Sequence, residues 1–151
     1  MFRGLAVLNL DSKSRLAMPT KYREQLNQLC AAKLILTIDT EQHCLLLYPF
    51  TQWQEIEQKL ASLPSFNAAA RRIQRLLIGH ATEVELDTNG RFIVPAVLRE
   101  YADLHKKLVL VGQGNKFEIW SDSHWRKCRE AWLAQPLDED NLPLELETLS
   151  L

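Results

Sequence analysis

Apolar and polar side chains alternate over residues 82–86, with Thr82, Val84 and Leu86 on one side and Glu83 and Glu85 on the other. A period of two predicts a strand with one buried face. Asp87 and Arg91 then bracket Thr88-Asn89-Gly90. A three-residue hairpin loop ends in a left-handed residue, and Gly90 supplies it. The return strand over 91–94 sets Phe92 and Val94 on one face and Arg91 on the other. Pro95 follows; proline suits the first turn of a helix and keeps the residue before it extended. A short helix with Leu98 and Ala102 on one side is therefore predicted. Val94 is a poor cap, so packing is expected to hold this helix.

The same grammar occurs earlier in the chain. Residues 8–24, LNLDSKSRLAMPTKYRE, align with residues 84–100, VELDTNGRFIVPAVLRE, at a constant offset of 76. The identities are Leu10/Leu86, Asp11/Asp87, Arg15/Arg91, Pro19/Pro95, Arg23/Arg99 and Glu24/Glu100. Apolar strands follow in both copies: KLILTID (33–39) with KLVLVGQ (107–113), and CLLLYP (44–49) with FEIWS (117–121). Such self-similarity marks a duplicated module. In the first copy Tyr22, Leu26 and Leu29 define the helix face. Ser14 stands where the second copy has Gly90, so Ser14 is expected near the left-handed region at a cost of roughly 1 kcal/mol, making the first hairpin the less rigid one.

Further helices extend each module. Thr51 and Gln54 read as a capping box ahead of Trp53, Ile56, Leu60 and Leu63. Asn67 is a candidate cap for a connecting helix over 68–78, with Ala69, Ile73 and Leu76 inward and Arg71, Arg72 and Arg75 on the other side. Trp125, Cys128 and Trp132 share a face of the last helix. The chain thus divides into a first module (1–63), a connecting helix (64–80), a second module (81–135) and an acidic tail (136–151). Each module is near the lower size limit for an independent core, so the two are expected to bury their apolar faces against each other around a pseudo-two-fold axis.

Charge sharpens this picture. The formal net charge is −1, yet the tail holds five acids and no Lys or Arg, leaving 18 bases against 14 acids in residues 1–135. A mildly basic body is compatible with nucleic-acid binding without requiring it. Three cysteines without C-x-x-C spacing argue against a disulfide framework and against a zinc site. His43, His80, His105 and His124 have no motif-level nucleophile or carboxylate partner, so neither catalysis, metal nor cofactor is expected. No apolar stretch approaches the roughly 20 residues of a membrane span, and a soluble cytoplasmic protein is expected.

The signature D-x-x-x-R, apolar residues, then P-x-x-x-R resembles the AbrB/SpoVT superfamily of bacterial DNA-binding proteins. The duplication, the N-terminal MFRG and the segment RRIQRLLIGHATEVELD resemble the MraZ family within it. The resemblance covers residues 1–135 and implies an α+β fold: a swapped-hairpin β-barrel formed within one chain by two AbrB-like modules, with flanking helices. It also implies a ring homo-oligomer. The ring would bind direct repeats of double-stranded DNA in the promoter of the division and cell-wall gene cluster, including its own gene, as a nucleoid-associated repressor.

A paired β-ribbon fits the major groove. Arg15 is the first candidate for base or phosphate contact, Lys13 a point charge for phosphate, Arg3 a backbone contact, and Arg91 the second-copy equivalent beside Asn89. The first hairpin is therefore the expected main reader. Asp11 and Asp87 would repel phosphate and are assigned to pinning their loops or pairing with an Arg, with Pro19, Pro95 and Gly90 as structural positions. Against this, the turn charges could be merely solvated, or the Asp–Arg pairs purely structural. Three other functions remain open: an antitoxin with a toxin partner, a scaffold that assembles without DNA, and an enzyme.

Overall fold

The computed structural model describes residues 1–150. The first half forms β1 (Phe2–Asn9), β2 (Arg15–Ala17), α1 (Thr20–Cys30), β3 (Lys33–Ile38), β4 (Leu45–Pro49) and α2 (Phe50–Ala61), followed by the connecting helix α3 (Ala68–Leu77). The second repeats the order with β5 (Thr82–Glu85), β6 (Arg91–Ile93), α4 (Ala96–Tyr101), β7 (Lys107–Gly114), β8 (Phe117–Ser121) and α5 (Asp122–Ala134). A 3-10 turn and a four-residue helix, α6 (Leu144–Glu147), lie in the tail.

The strands do not close into a barrel, which corrects the expected fold. Six form an open antiparallel sheet in the order β1-β7-β8-β4-β3-β5, and β2 and β6 form a separate ribbon. The hairpin loops account for this. Each return strand makes one bond back at the loop, Asp11 N–H to Arg15 O at 3.0 Å and Asp87 N–H to Arg91 O at 2.9 Å. Each then pairs with the other half. With three residues apiece, β2 and β6 satisfy each other and leave β1 and β5 as the two edges of the sheet.

Strands cross between the halves throughout. β1 pairs with β7, and β5 pairs with β3. In the ribbon Leu16 faces Phe92, flanked by Arg15 opposite Ile93 and Ala17 opposite Arg91. Leu16 and Phe92 are repeat equivalents, so the pseudo-two-fold axis passes through that pair. The Asn9–Lys107 pair has its counterpart in Lys33–Glu85, as the same symmetry requires.

One core draws on both halves. Leu16, Phe92, Met18 and Val94 from the ribbon meet Leu34, Leu36, Leu45, Leu47, Leu108, Leu110, Phe117 and Ile119 from the sheet, with Tyr22 and Leu26 from α1 and Leu98 from α4. The opposite sheet face is also covered. Ile35, Leu46 and Tyr48 pack under α2 against its Trp53, and Cys44, Val109 and Trp120 pack under α5. Burial on both faces explains why β3, β4 and β7 read as apolar runs rather than alternations. Each such side chain removed from water contributes roughly 1.5–3 kcal/mol.

Four helices begin in one way, the short α6 at Pro143 with ψ 151° among them. Pro19, Pro49 and Pro95 sit at the N-caps of α1, α2 and α4 with ψ of 139°, 140° and 149°, and none has a side-chain cap. The prolines thus stand just outside the first turn. The capping box expected at Thr51 does not form, because Pro49 takes the cap two residues earlier and leaves Thr51 inside the helix. Asn67 does cap α3, accepting from Ala70 N–H at 2.9 Å. Ala69 is exposed, and Leu77 packs with the α2 cluster instead. Leu29 is likewise exposed; the buried stripe of α1 runs Tyr22, Leu26, Cys30 at a spacing of four. No helix among the described residues is long and apolar enough to cross a membrane.

Candidate nucleic-acid interface

In the ribbon, side chains alternate across the two faces, so Leu16 and Phe92 point into the core while Arg15, Ala17, Arg91 and Ile93 occupy the outward face. Arg15 and Arg91 are diagonal neighbours there, ~7–8 Å apart by strand geometry. The loops 11–15 and 87–91 mark the two ends of the ribbon. The structure therefore brings these two arginines onto one surface.

Each loop is built on its aspartate. Asp11 Oδ1 accepts the backbone N–H groups of Lys13 at 2.9 Å and Arg15 at 2.8 Å. Asp11 Oδ2 accepts from Arg15 Nε at 2.8 Å. Asp87 Oδ1 accepts from Asn89 N–H at 2.8 Å and Arg91 N–H at 2.9 Å. The backbone N–H of Arg15 holds the Asp11 carboxyl below its ordinary range, opposed by burial and helped by the Arg15 side chain. The backbone N–H of Arg91 does the same for Asp87, again opposed by burial, with Arg15 among the charges that assist. Both loops carry a left-handed residue where expected: Ser14 at φ 60° and Gly90 at φ 72°.

The two arginines are held differently. Arg15 gives Nε to Asp11 and keeps its terminal nitrogens for other partners, with 30% of the side chain exposed. Arg91 is exposed and makes no side-chain hydrogen bond or ion pair among the described residues. Lys13 is exposed at the tip of the first loop. Arg3 lies at the far end of β1, eight residues before Asp11 and ~26 Å away along an extended strand. Its backbone carbonyl meets Tyr22, whose chain neighbour Lys21 is an exposed residue that sequence reasoning passed over. Tyr22 donates its hydroxyl to Arg3 O, and Lys21 Nζ lies 4.8 Å over the Tyr22 ring. Lys21 has Val97 as its counterpart, so the repeat comparison carried no signal for it. Arg71, Arg72 and Arg75 are exposed on α3, which packs on the other face of the sheet through Leu77 and the Thr37 Oγ1 bond to Leu77 O.

Acids border the ribbon unevenly. Glu83 and Glu85 on β5 line a groove with Arg15, Asp87 and Arg91. The equivalent positions on β1 are Val7 and Asn9. Elsewhere, Asp39, Cys44 and Glu118 bring their ligand atoms within 4.8 Å of one another. Each already has a partner: Thr40 and Gln42 N–H donate to Asp39, Cys44 Sγ donates to Asp39, and Trp120 Nε1 donates to Glu118. Burial pushes the Cys44 thiol far up, which opposes the thiolate a metal would need. His80 sits where α3 ends, its Nδ1 2.7 Å from Leu76 O.

The family model for the MraZ protein, described as antitoxin-like, matches the chain twice, at residues 1–76 and 77–141. A protein of Legionella pneumophila named transcriptional regulator MraZ is 57% identical over 152 residues, covering 100% of both chains. A Coxiella burnetii protein of the same name shows the same identity and coverage, and one from Halorhodospira halophila is 51% identical over the full length of both. With both halves matched and relatives aligned from end to end, the chain belongs to the MraZ family.

Proposed function

We propose that this chain is a sequence-specific DNA-binding transcriptional regulator that reads the major groove with its β2–β6 ribbon. The observation that carries this reading is the outward face of the ribbon, where Arg15 and Arg91 stand together while Leu16 and Phe92 anchor them from below. Asp11 fixes Arg15 through Nε, so the terminal nitrogens are oriented in advance for a guanine edge or a phosphate. Lys13, and Lys21 with Arg3 farther along, add phosphate contacts. The pairing of β1 with β7 and of β5 with β3 supports a swapped-hairpin relation between the modules. One ribbon supplies less surface than specific DNA complexes bury. A ring of copies on direct repeats would gain by effective concentration. In this reading the protein works in the cytoplasm at the nucleoid and represses the division and cell-wall gene cluster, its own gene included.

The test is salt-dependent binding to a promoter duplex with direct repeats, wild type against Arg15→Ala. Each phosphate contact contributes about −0.9 to the log–log salt slope. Wild type should prefer the repeats over scrambled DNA, and Arg15→Ala should lose that preference while still assembling. Equal binding by the two proteins sinks the ribbon-reader idea. The antitoxin-like description of the family favours a second reading, in which a small basic toxin co-purifies with the chain.

A further inference from the structure

We infer that Arg23 is a positioning residue: an arginine of the first half that locks the second hairpin loop, with no counterpart lock on the first loop. The inference rests on the DNA-reading role proposed for the ribbon, but its structural part stands without it.

The lock is a short chain of contacts across the repeat axis. Met18 N–H donates to Gly90 O at 2.8 Å, and Met18 O accepts from Arg23 Nε at 2.7 Å. The guanidinium lies directly under the loop. A Cβ placed on Gly90 would come within 2.2 Å of Arg23 Nε, 2.6 Å of Cζ and 2.7 Å of Cδ. Gly90 is buried and Arg23 half-buried. Glycine is thus required here twice, once for φ 72° and once to admit the arginine. Moving Arg23 aside would break its bond to Met18 O, so the collision is not relieved without cost.

The other half breaks the symmetry. Val94 N–H donates to Ser14 O at 2.9 Å, the exact counterpart of the Met18–Gly90 bond. Arg99 is the repeat equivalent of Arg23, yet it makes no side-chain hydrogen bond or ion pair among the described residues, and Val94 O receives none from it. Ser14 carries the Cβ that Gly90 lacks, and by the repeat symmetry that carbon fills the place the Arg99 guanidinium would take. The first loop relies instead on the Asp11–Arg15 ion pair. One duplicated motif has therefore been stiffened in two ways: from within the first loop, and from α1 of the opposite half for the second. Arg91 needs the second device, because its own side chain has no carboxylate partner among the described residues.

Amide exchange of the free protein tests this, comparing Arg23→Ala, Arg23→Lys, Arg99→Ala and Gly90→Ala with wild type. Arg23→Ala should speed exchange of the Asn89, Gly90 and Arg91 amides by roughly fivefold or more, the consequence of losing one bond of ordinary strength, and leave Lys13 and Arg15 amides unchanged. Arg23→Lys should recover part of that protection, and Arg99→Ala should change neither loop. Gly90→Ala should speed exchange of the same amides and by more, because it adds left-handed strain to the lost contact. Adding Arg23→Ala to it should cost little more, because both break one contact. On promoter DNA, Arg23→Ala should weaken binding equally at every salt concentration with an unchanged slope. Unaltered exchange at 89–91 overturns the lock, as does a slope shallower by about 0.9, which would make Arg23 a phosphate contact. Faster exchange in a protein that does not bind DNA even as wild type would uphold the lock and discard the DNA reading.

Discussion

Ser14 and Gly90 occupy the same place in two copies of one loop, and the difference of a single side chain reorganises what surrounds each. Ser14 holds φ 60° without the freedom glycine has. Ser14→Gly should therefore stabilise the fold by roughly 1 kcal/mol, read as a rise in Tm of about 2–4 °C. It also opens the site beneath the first loop to Arg99. The loop aspartates make a second prediction. The Asp11 and Asp87 carboxyls are held below their ordinary value by backbone N–H groups. Depressed carboxyls contribute stability above the unfolded-state value of 3.8 and lose it as pH falls through the folded-state value. Urea midpoints should be insensitive to these groups from neutral pH down to about pH 5 and drop below about pH 4. Asp11→Ala with Asp87→Ala should lower stability at pH 7 and flatten the acid limb; an unchanged limb would show that other carboxyls control it.

Pairing distances make their own demands at the scale of strands and helices. Gly112 on β7 faces Gly4 on β1, and a Cβ at Gly112 would lie 2.6–2.8 Å from the backbone of Arg3. Gly112→Ala should pry the start of β1 from the sheet at a cost of about 1–3 kcal/mol, with faster amide exchange confined to residues 2–5. Faster exchange spread over the whole sheet would show that the β1–β7 edge does not open by itself. The ribbon depends on its two anchors in the same way. Leu16 is 1% exposed, and Leu16→Ala should cost about 2–5 kcal/mol by leaving a cavity beneath the arginine face. The helices of the two halves need less specification, since a proline with extended ψ starts α1, α2 and α4 and packing holds them afterwards.

Across the whole molecule, neither half owns a complete sheet. β1 needs β7, β5 needs β3, and β2 needs β6. Denaturant unfolding should thus be a single transition with coincident probes, and a fragment of residues 1–76 should show no cooperative transition of its own at concentrations where it stays monomeric. Two resolved transitions would contradict the interlocked core. The tail is exposed along the described part of 136–150, Leu142 alone being half-buried, so its removal should shift stability by no more than about 0.5 kcal/mol.

Local signals in the chain determined a good deal. Alternation over 82–86, the D-x-x-x-R brackets and the prolines after them located both hairpins and the helices that follow, because turn chemistry and proline geometry act within a few residues. Asn67 was legible as a cap for the same reason, and the offset of 76 announced two modules that bury against each other. Tertiary structure decided which strand each hairpin strand pairs with, since hydrogen bonds between strands carry no sequence label. It left the sheet open because β2 and β6 are too short to satisfy both each other and the edges. It removed the capping box, once Pro49 had taken the cap two residues before Thr51. Arg23 reaches Gly90 only through the crossing of the two halves, across 67 positions of sequence. No local pattern distinguishes that arginine from Arg99, and only the space beneath each loop does.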